Sequence, residues 1–347
     1  MFAAVCASAA DVPSFKVDPF WPKPLPNNWI IGNIGGMAVD GSDNVWINQR
    51  PRSLTAEEAG VVQNPPRSSC CVPAPPVIEF DPAGNVIQAW GGPGKGYPWP
   101  QNEHGIFVDS RGFVWVTGNG PEDGFILKFT RDGKFVMQIG KSGPSGGSND
   151  TSILGSPADV AVDTKAHEVY VADGYRNRRV IVFDSETGAF KRLWGAYGKP
   201  PVDGRFKYDP NAPLPQQFNN PVHCVTLSND GLVYVCDRDN DRIQVFQKDG
   251  TFVREFRTRP ESRGNGSAGG AVPYPKRGKQ PYLVVPENEA RRVDIIDRQT
   301  GKLVTTFGRA GRWAGQFYQL HGVAIDSKGN VYTGEIEGKR IQKFIRR

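Results

Sequence analysis

Three of the four histidines in this chain stand at the same position of a repeated unit. His104 opens the segment HGIFVD, His223 opens HCVTLS and His321 opens HGVAID. These segments belong to alternate units of a six-unit array, so in a closed ring the three imidazoles would lie about 120° apart and point at one axis. The equivalent residues of units one and three are Gly35 and Ala158, which are too small to block the axis. Packed core histidines would not require this shared register, and the pattern therefore predicts a three-histidine metal site.

The nature of the ligands restricts the metal. Imidazole suits zinc, iron and copper. Three protein ligands with one open position is the arrangement of catalytic zinc sites. We therefore expect zinc, with iron as the alternative.

Three further residues should lie on the same face as the histidines. The first strand of each unit runs away from the histidine face and the second strand returns, so second-strand ends lie near the metal. Arg50, Tyr175 and Arg238 occupy such ends. Tyr175 is predicted to act as a general base, because a metal and nearby arginines favour the ionised phenol. The two arginines are predicted to bind a substrate carboxylate or carbonyl.

Each of these three residues also has a purely structural interpretation. Tyr175 could be a packed loop aromatic. Arg50 and Arg238 could pair with loop carboxylates such as Asp237 or Asp239. The sequence alone leaves both interpretations open.

The elements that position these residues are short β-strands. Unit three shows the pattern best, with ADVAVD at 158–163, EVYVAD at 168–173, RRVIVFD at 178–184 and AFKRLWG at 189–195. Such Val-, Ile- and Phe-rich segments bounded by turn residues indicate all-β structure. A period near 40 residues with four strands per unit is typical of a β-propeller. The predicted fold is an all-β, six-bladed propeller with four-stranded blades.

The ends of the chain should meet in the last blade. Unit one begins at 35–40 and resumes at 77–81 after a long insertion, and unit five, about 270–308, keeps the pattern only weakly. Unit six lacks a fourth strand before the chain ends at Arg347. The stretch SFKVDPF at 14–20 could supply it. We therefore predict one domain over 14–347 that is closed by the N-terminal strand.

The strings DGYRNRRV at 173–180 and DRDNDRIQVF at 237–246, with the three histidine-led strands, resemble NHL-repeat propellers. Within that group the chain looks most like the peptidyl-α-hydroxyglycine α-amidating lyases, over roughly 30–347. The resemblance implies a zinc-dependent lyase that cleaves the C–N bond of a carbinolamide to give an amide and glyoxylate. It assigns the zinc ligands, the catalytic tyrosine and the two active-site arginines to His104, His223, His321, Tyr175, Arg50 and Arg238.

The chain departs from that family beside the last histidine. The family has Met two residues before this ligand and Asp directly after it, where Gln319 and Gly322 stand here. That Asp helps to hold a structural calcium. The resemblance therefore does not carry the calcium over, and it implies a modified substrate pocket.

Two other functions remain as alternatives. One is a metal-dependent hydrolase or lactonase on a six-bladed frame, although lactonases of this kind place carboxylates and Asn around calcium rather than imidazoles. The other is a non-catalytic NHL-repeat module that binds protein or RNA, which would have no use for three convergent histidines. The expected partner is a small-molecule or peptide substrate with a carboxylate, and the protein is expected to be a monomer.

Charge and composition argue against other partners. The 347 residues carry a net charge of +6 with scattered basic residues, which favours a solvated surface over a nucleic-acid patch. No apolar stretch is long enough to span a membrane. Residues 1–10 read as the remnant of a secretory signal that lacks its charged start. We therefore expect a secreted or periplasmic protein.

Two cysteines should face each other in unit four. Cys224 and Cys236 flank the turn at 229–231 symmetrically, which places them opposite each other on antiparallel strands. A disulfide would suit an exported protein. Directly opposed strand pairs often have poor disulfide geometry, so two buried thiols are the preferred expectation. The fourth histidine, His167, lies in a turn on the other face and is expected at the surface.

Overall fold

Six four-stranded antiparallel sheets make up a computed structural model that describes residues 12–204, 206–262 and 266–347. The sheets are arranged as the blades of a propeller, so the predicted all-β, six-bladed fold is confirmed. The predicted signal remnant at 1–10 lies outside the described residues.

The strands follow the chain in blade order. The first seven strands are β1 (Phe15–Asp18), β2 (Trp29–Ile30), β3 (Asn33–Val39), β4 (Val45–Arg50), β5 (Val72–Pro73), β6 (Val77–Phe80) and β7 (Val86–Trp90). Blade one is β3, β4, β6 and β7. Blade two is β8 (Glu103–Val108), β9 (Val114–Gly118), β10 (Phe125–Phe129) and β11 (Phe135–Gly140). Blade three is β12 (Asp159–Asp163), β13 (Glu168–Asp173), β14 (Arg179–Asp184) and β15 (Phe190–Trp194).

The remaining strands complete the ring. Blade four is β16 (Val222–Leu227), β17 (Val233–Asp237), β18 (Arg242–Phe246) and β19 (Phe252–Arg257). Blade five is β20 (Val272–Tyr274), β21 (Tyr282–Glu287), β22 (Arg292–Asp297) and β23 (Leu303–Phe307). Blade six is β24 (Leu320–Ile325), β25 (Val331–Glu335), β26 (Ile341–Arg346) and β1.

The turn between the first two strands of a blade is held by an aspartate that ends the first strand. Asp40 accepts hydrogen bonds from the backbone amides of Ser42 and Asn44, and from the indole of the buried Trp46. Asp109 repeats this arrangement in blade two with the indole of Trp115. These Asp-containing turns fix where the second strand begins, and hence which residue it carries back to the histidine face.

The N-terminal strand closes the ring as predicted. β1 pairs antiparallel with β26, with Phe15 facing Arg346 and Asp18 facing Lys343. The ring of Phe15 also contacts Tyr274 and Phe307 of blade five. β1 therefore covers the outer edge of blade six, which would otherwise be an unpaired sheet edge.

The insertion of blade one begins directly after Arg50, on the histidine face. It contains two 3₁₀ helices, Pro51–Ser53 and Gly60–Val62, and β5, which pairs parallel with β2. Cys70 and Cys71 form a disulfide within it. The insertion therefore forms part of the wall beside the predicted site.

The expectation of free thiols at Cys224 and Cys236 is wrong, because the two residues form a disulfide. They face each other on β16 and β17 with their Cα atoms 4.8 Å apart. That separation falls within the range that a disulfide spans. The bond ties together the two strands that position His223.

Helical structure in the described ranges is limited to short turns. Besides the two in the insertion, Ala196–Gly198 and Arg238–Asn240 form single 3₁₀ turns. Within the described part of the chain, no helix has the length and apolar character needed to cross a membrane.

Candidate metal and substrate site

Each of the three predicted metal ligands lies at a break in the β-ladder. The pairing of β16 with β17 shifts between Val222 and Cys224, so His223 has no partner across the ladder. The same shift occurs at His104 in blade two and at His321 in blade six. Bulges of this kind re-aim side chains, and they are common beside active sites. The irregular ladder explains how residues at a strand start point into the central channel.

The six residues at this register alternate between histidine and a small residue. In chain order they are Gly35, His104, Ala158, His223, Gly269 and His321, and all six line one cavity. Two of the histidines direct Nδ1 at the backbone carbonyl of the small residue in the next blade around the ring. His104 Nδ1 lies 2.7 Å from the Ala158 carbonyl and His223 Nδ1 lies 2.8 Å from the Gly269 carbonyl. Nδ1 of His321 is buried and has no hydrogen-bond partner among the described residues.

In His104 and His223 this arrangement selects the tautomer of the ring. An imidazole that donates from Nδ1 to a carbonyl keeps its lone pair on Nε2. Metal-ligating histidines usually donate their other ring N–H to such an acceptor, which fixes the ring orientation. The small residues of the odd blades therefore leave the axis open, and two of them, Ala158 and Gly269, also orient a histidine.

The three imidazoles are buried and close together. Their exposed fractions are 2% for His104, 4% for His223 and 7% for His321. The ring centroids form a nearly equilateral triangle with sides of 5.1, 4.8 and 5.2 Å, and the ring planes are steeply inclined to one another. One ligand atom from each residue lies within 4.8 Å of the other two. The cluster could therefore hold a metal ion.

Burial keeps all three rings neutral. It lowers the pKa of His104 and of His223 well below the ordinary value, and the neighbouring histidines and arginines lower both further. Burial, together with Arg50 and Arg238, lowers the pKa of His321 to about 3. Neutral imidazole is the form that binds metals. Moreover, the buried His223 Nε2 has no hydrogen-bond partner in the described chain, and a metal would satisfy this atom.

Tyr175 lies against the histidine cluster. Its hydroxyl oxygen is 3.0 Å from Nε2 of His104, and its ring contacts both His104 and His223. The Arg238 guanidinium is 5.9 Å from the ring centroid, and its Nη1 lies 3.5 Å from the Tyr175 hydroxyl. The tyrosine is therefore placed where its oxygen reaches the metal-binding edge of one histidine and a cation at once.

Arg50 and Arg238 occupy equivalent positions in blades one and four. In blade one, Asn48 faces Gly36, and Arg50 lies two residues after Asn48. In blade four, Cys236 faces Cys224, and Arg238 lies two residues after Cys236. The Nε of Arg50 donates to the Glu103 carbonyl at 2.7 Å. The Nε of Arg238 pairs with Asp239 at 3.3 Å, so the predicted loop carboxylate is present on one side. Asp237 instead pairs with Arg242 at 2.7 Å. Both site arginines are thus anchored through Nε.

A cavity of about 80 Å³ lies within the channel at the histidines. The residues that follow the six register positions are Gly36, Gly105, Asp159, Cys224, Gly270 and Gly322. Asp159 is therefore the one carboxylate at that level, and burial raises its pKa to about 7. Position 322 is Gly, so this level of blade six carries no acidic side chain.

The fourth histidine, His167, is exposed on the opposite face, as expected.

Comparison with known proteins agrees with the fold and with the resemblance. The family described as NHL repeat matches residues 154–183 and 218–246. The chain is 26% identical to peptidyl-α-hydroxyglycine α-amidating lyase 1 of Drosophila melanogaster, over 94% of this chain and 59% of that protein. It is 27% identical to peptidyl-glycine α-amidating monooxygenase B of Xenopus laevis, over 94% of this chain. The chain spans 35% of the length of that Xenopus protein.

Not all similar proteins carry a lyase name. NHL repeat-containing protein 3 of Mus musculus is 28% identical over 96% of this chain and 84% of its own length. A streptogramin B lyase structure aligns with a TM-score of 0.55 at 13% identity, over 96% of this chain and 98% of that one. The latter likeness shows the fold alone. Together the comparisons show NHL repeats and homology to the amidating lyases.

The sequence argument missed two polar residues in blade five. β21 ends at Glu287, which faces Arg292 as Asp237 faces Arg242 in blade four. Asn288 therefore stands at the register of Arg238. Aligning YLVVPEN with LVYVCDR would have placed both residues, but unit five was too irregular for the repeat pattern to guide that alignment.

Proposed function

We propose that the protein is a metal-dependent lyase that cleaves the C–N bond of a carbinolamide, such as a peptidyl-α-hydroxyglycine, to give an amide and glyoxylate. The observation that carries the proposal is the contact between the Tyr175 hydroxyl and Nε2 of His104 within a cluster of three neutral, buried histidines. Homology to the amidating lyases supports it. Zinc is the proposed metal, with iron as the alternative.

The side chains divide the work of this reaction. A bound metal would supply a Lewis acid for the substrate hydroxyl. Arg50 and Arg238 bind the substrate carboxylate through the guanidinium nitrogens that Nε anchoring leaves available. Tyr175 accepts the hydroxyl proton. The carbonyl of glyoxylate then forms as the C–N bond breaks. The electron pair of the broken C–N bond and a proton pass to the nitrogen, which leaves as a primary amide.

A direct assay tests the proposal. Purified protein loaded with Zn²⁺ is incubated with N-benzoyl-α-hydroxyglycine, and glyoxylate release is measured against the spontaneous breakdown of the substrate. We expect metal-dependent release that a chelator abolishes. Release no faster than the blank, with one metal ion bound per chain, would contradict the lyase proposal and return the hydrolase alternative. A protein that binds no metal would favour the non-catalytic module.

We also propose that the protein is exported. Two disulfides, Cys70–Cys71 and Cys224–Cys236, support this location because disulfides persist in oxidising compartments. Fractionation of the source cells would test it, and a purely cytosolic protein with reduced cysteines would contradict it.

A further inference from the structure

The second-strand ends of four blades place a polar side chain at one register on the histidine face. In blades one and four these residues are Arg50 and Arg238, and in blades two and five they are Asn119 and Asn288. The first two are the proposed carboxylate-binding residues. The two asparagines have no role in the proposed reaction so far.

The two asparagines differ in their partners. Asn119 Oδ1 accepts a hydrogen bond from the Asn102 side chain at 2.5 Å. Asn288 is only 6% exposed, yet its Oδ1 has no hydrogen-bond partner in the part of the chain that the structure describes. An amide oxygen that is buried without a partner lowers the stability of the folded protein, because it has lost its hydrogen bonds to water and gained none. Such an orphan acceptor beside a candidate site is an indication of a ligand.

The unpartnered oxygen lies beside Gly269, one of the residues that line the histidine cavity. Gly269 lines that cavity and accepts the Nδ1 hydrogen bond of His223. A Cβ atom added to Gly269 would come within 2.5 Å of Asn288 Oδ1. The amide oxygen therefore fills the space that a side chain at 269 would take, next to the residue that accepts the hydrogen bond of His223.

The chemistry of the proposed substrate matches this acceptor. The carboxylate and hydroxyl of an N-acyl-α-hydroxyglycine are accounted for by the arginines, Tyr175 and the metal. Its nitrogen carries one N–H, which needs an acceptor, and a guanidinium cannot accept a hydrogen bond. Resting on the proposed function, we infer that Asn288 Oδ1 accepts a hydrogen bond from the N–H of the scissile C–N bond, so that the site selects secondary over N-alkylated carbinolamides.

The consequence for catalysis follows from where the nitrogen goes. The nitrogen acquires the electron pair of the broken bond and leaves as an amide. An acceptor on its existing N–H fixes the plane of the leaving amide while the carboxylate is held at the arginines. Asn288 is thus a substrate-binding residue that determines specificity, and N-alkylated substrates would leave its oxygen without a partner.

The test compares two substrates in four proteins. The substrates are N-benzoyl-α-hydroxyglycine and its N-methyl derivative, and the measurement is the ratio of their kcat/KM values. Wild type should prefer the N–H substrate by about 10–100-fold, because sites built around a hydrogen bond reject analogues that lack it. The methyl group also adds bulk, so the decisive quantity is the change in this ratio.

Asn288→Leu should lower the ratio by about tenfold, mainly through slower turnover of the N–H substrate. Asn288→Asp keeps an acceptor oxygen and should keep the preference, although its charge raises KM for both substrates. Asn119→Leu is the matched control at the same register, and it should leave the ratio at the wild-type value. Metal content and thermal unfolding show that each variant is folded.

Two results would overturn the inference, and they are distinguishable. An Asn288→Leu protein with full metal content and the wild-type ratio removes Asn288 from substrate recognition while leaving the lyase proposal intact. A wild-type protein that releases glyoxylate from neither substrate refutes the proposed function, and the role of Asn288 falls with it.

Discussion

The two ends of the propeller channel are built on different principles. The mouth opposite the histidines opens on the larger cavity, about 660 Å³ against about 80 Å³. Its charged groups satisfy one another: Lys248 pairs with Asp163, and Lys276 donates to the carbonyls of Val39 and Asp40 at 2.9 and 2.7 Å. At the histidine end, by contrast, Asn288 Oδ1 and two imidazole nitrogens, His223 Nε2 and His321 Nδ1, have no partner among the described residues.

This difference means that the larger cavity is not where the unpartnered buried atoms of the described channel residues lie. Any propeller leaves space where its six first strands diverge, and loop charges there can be paired internally at no cost to function. Buried polar atoms without partners are costly, so they are retained where something outside the chain completes them. We therefore propose that the histidine end is the functional end, although it encloses less volume.

The largest expected effect comes from removing one imidazole. His321→Ala should abolish stoichiometric metal binding and reduce turnover to background, because two histidines cannot hold a catalytic zinc. The propeller should remain folded, since Ala158 occupies the same register in blade three. Elemental analysis after dialysis, together with circular dichroism, measures both properties. His167→Ala on the opposite face is the control and should keep its metal.

An equal metal content in the two histidine variants would contradict the proposed difference between the two mouths of the channel. The cluster would then be a packing feature, and the two mouths would differ only in volume. Wild-type protein without any transition metal under non-chelating conditions would lead to the same conclusion.

The next effect tests the contact between the tyrosine and the histidine cluster. Tyr175→Phe removes one oxygen atom and leaves the ring, so a general-base role predicts a loss of kcat of about 10²–10⁴ with metal content unchanged. Steady-state kinetics of glyoxylate release measure it. Near-normal turnover would make Tyr175 a packing residue that shares the histidine face by chance.

A smaller effect compares one cation from each mouth. Arg238→Ala should raise KM for carboxylate-bearing substrates by about 10–100-fold, because a guanidinium fork binds the carboxylate in ground state and transition state alike. Lys248→Met removes a cation of the opposite mouth and should leave kcat/KM unchanged. A loss of kcat at constant KM in Arg238→Ala would instead assign the arginine to charge that develops at the cleaved bond.

The positions around the ring could be predicted from the sequence because strand period and turn residues are local properties. The shared register of the three histidines, the return of second strands to their face and the closure by β1 all follow from the repeat. The role of each site residue stays a prediction. The contacts between these residues, such as that of the Tyr175 hydroxyl with His104 and Arg238, are visible only in the structure.

Other features depend on packing between strands and could not be read from the repeat. The ladder breaks at His104, His223 and His321 arise from pairing with the second strand of each blade. The disulfide of Cys224 with Cys236 required the local Cα separation. Blade five escaped alignment because its first strand has only three residues and its second strand contains a proline, Pro286, which is unusual in the middle of a sheet.

The smallest predicted effect concerns Glu287, the neighbour of Asn288. Burial, with a further contribution from Asp294, raises the pKa of Glu287 to about 9, although Arg259 acts in the opposite direction. Both carboxyl oxygens lack a hydrogen-bond partner within the described ranges. The equivalent Asp237 of blade four is paired with Arg242 at 2.7 Å. The carboxylate at this strand end is therefore paired in blade four and unpaired in blade five, just as the polar groups are paired at one mouth of the channel and some are unpaired at the other.

The sign of the pH dependence follows from this shift. The folded state holds a proton on Glu287 that the unfolded state releases near its ordinary pKa of 4.5, so the free energy of unfolding falls as pH rises from there to about 9. Glu287→Gln removes this pH-dependent contribution to the free energy of unfolding and keeps a side chain of nearly the same size and shape. Its Tm should match wild type near pH 5 and exceed it by about 2–5 °C near pH 8.5. Asp159 also titrates in this range, but it is present in both proteins and cancels in the difference. Asp241 contributes to the raised pKa of Glu287, so its interaction with Glu287 is part of the measured difference. Differential scanning calorimetry at the two pH values measures this Tm difference. A Tm difference that does not change with pH would mean that Glu287 is paired in solution. Asn288 would then be left as the unpartnered group at this strand end of blade five.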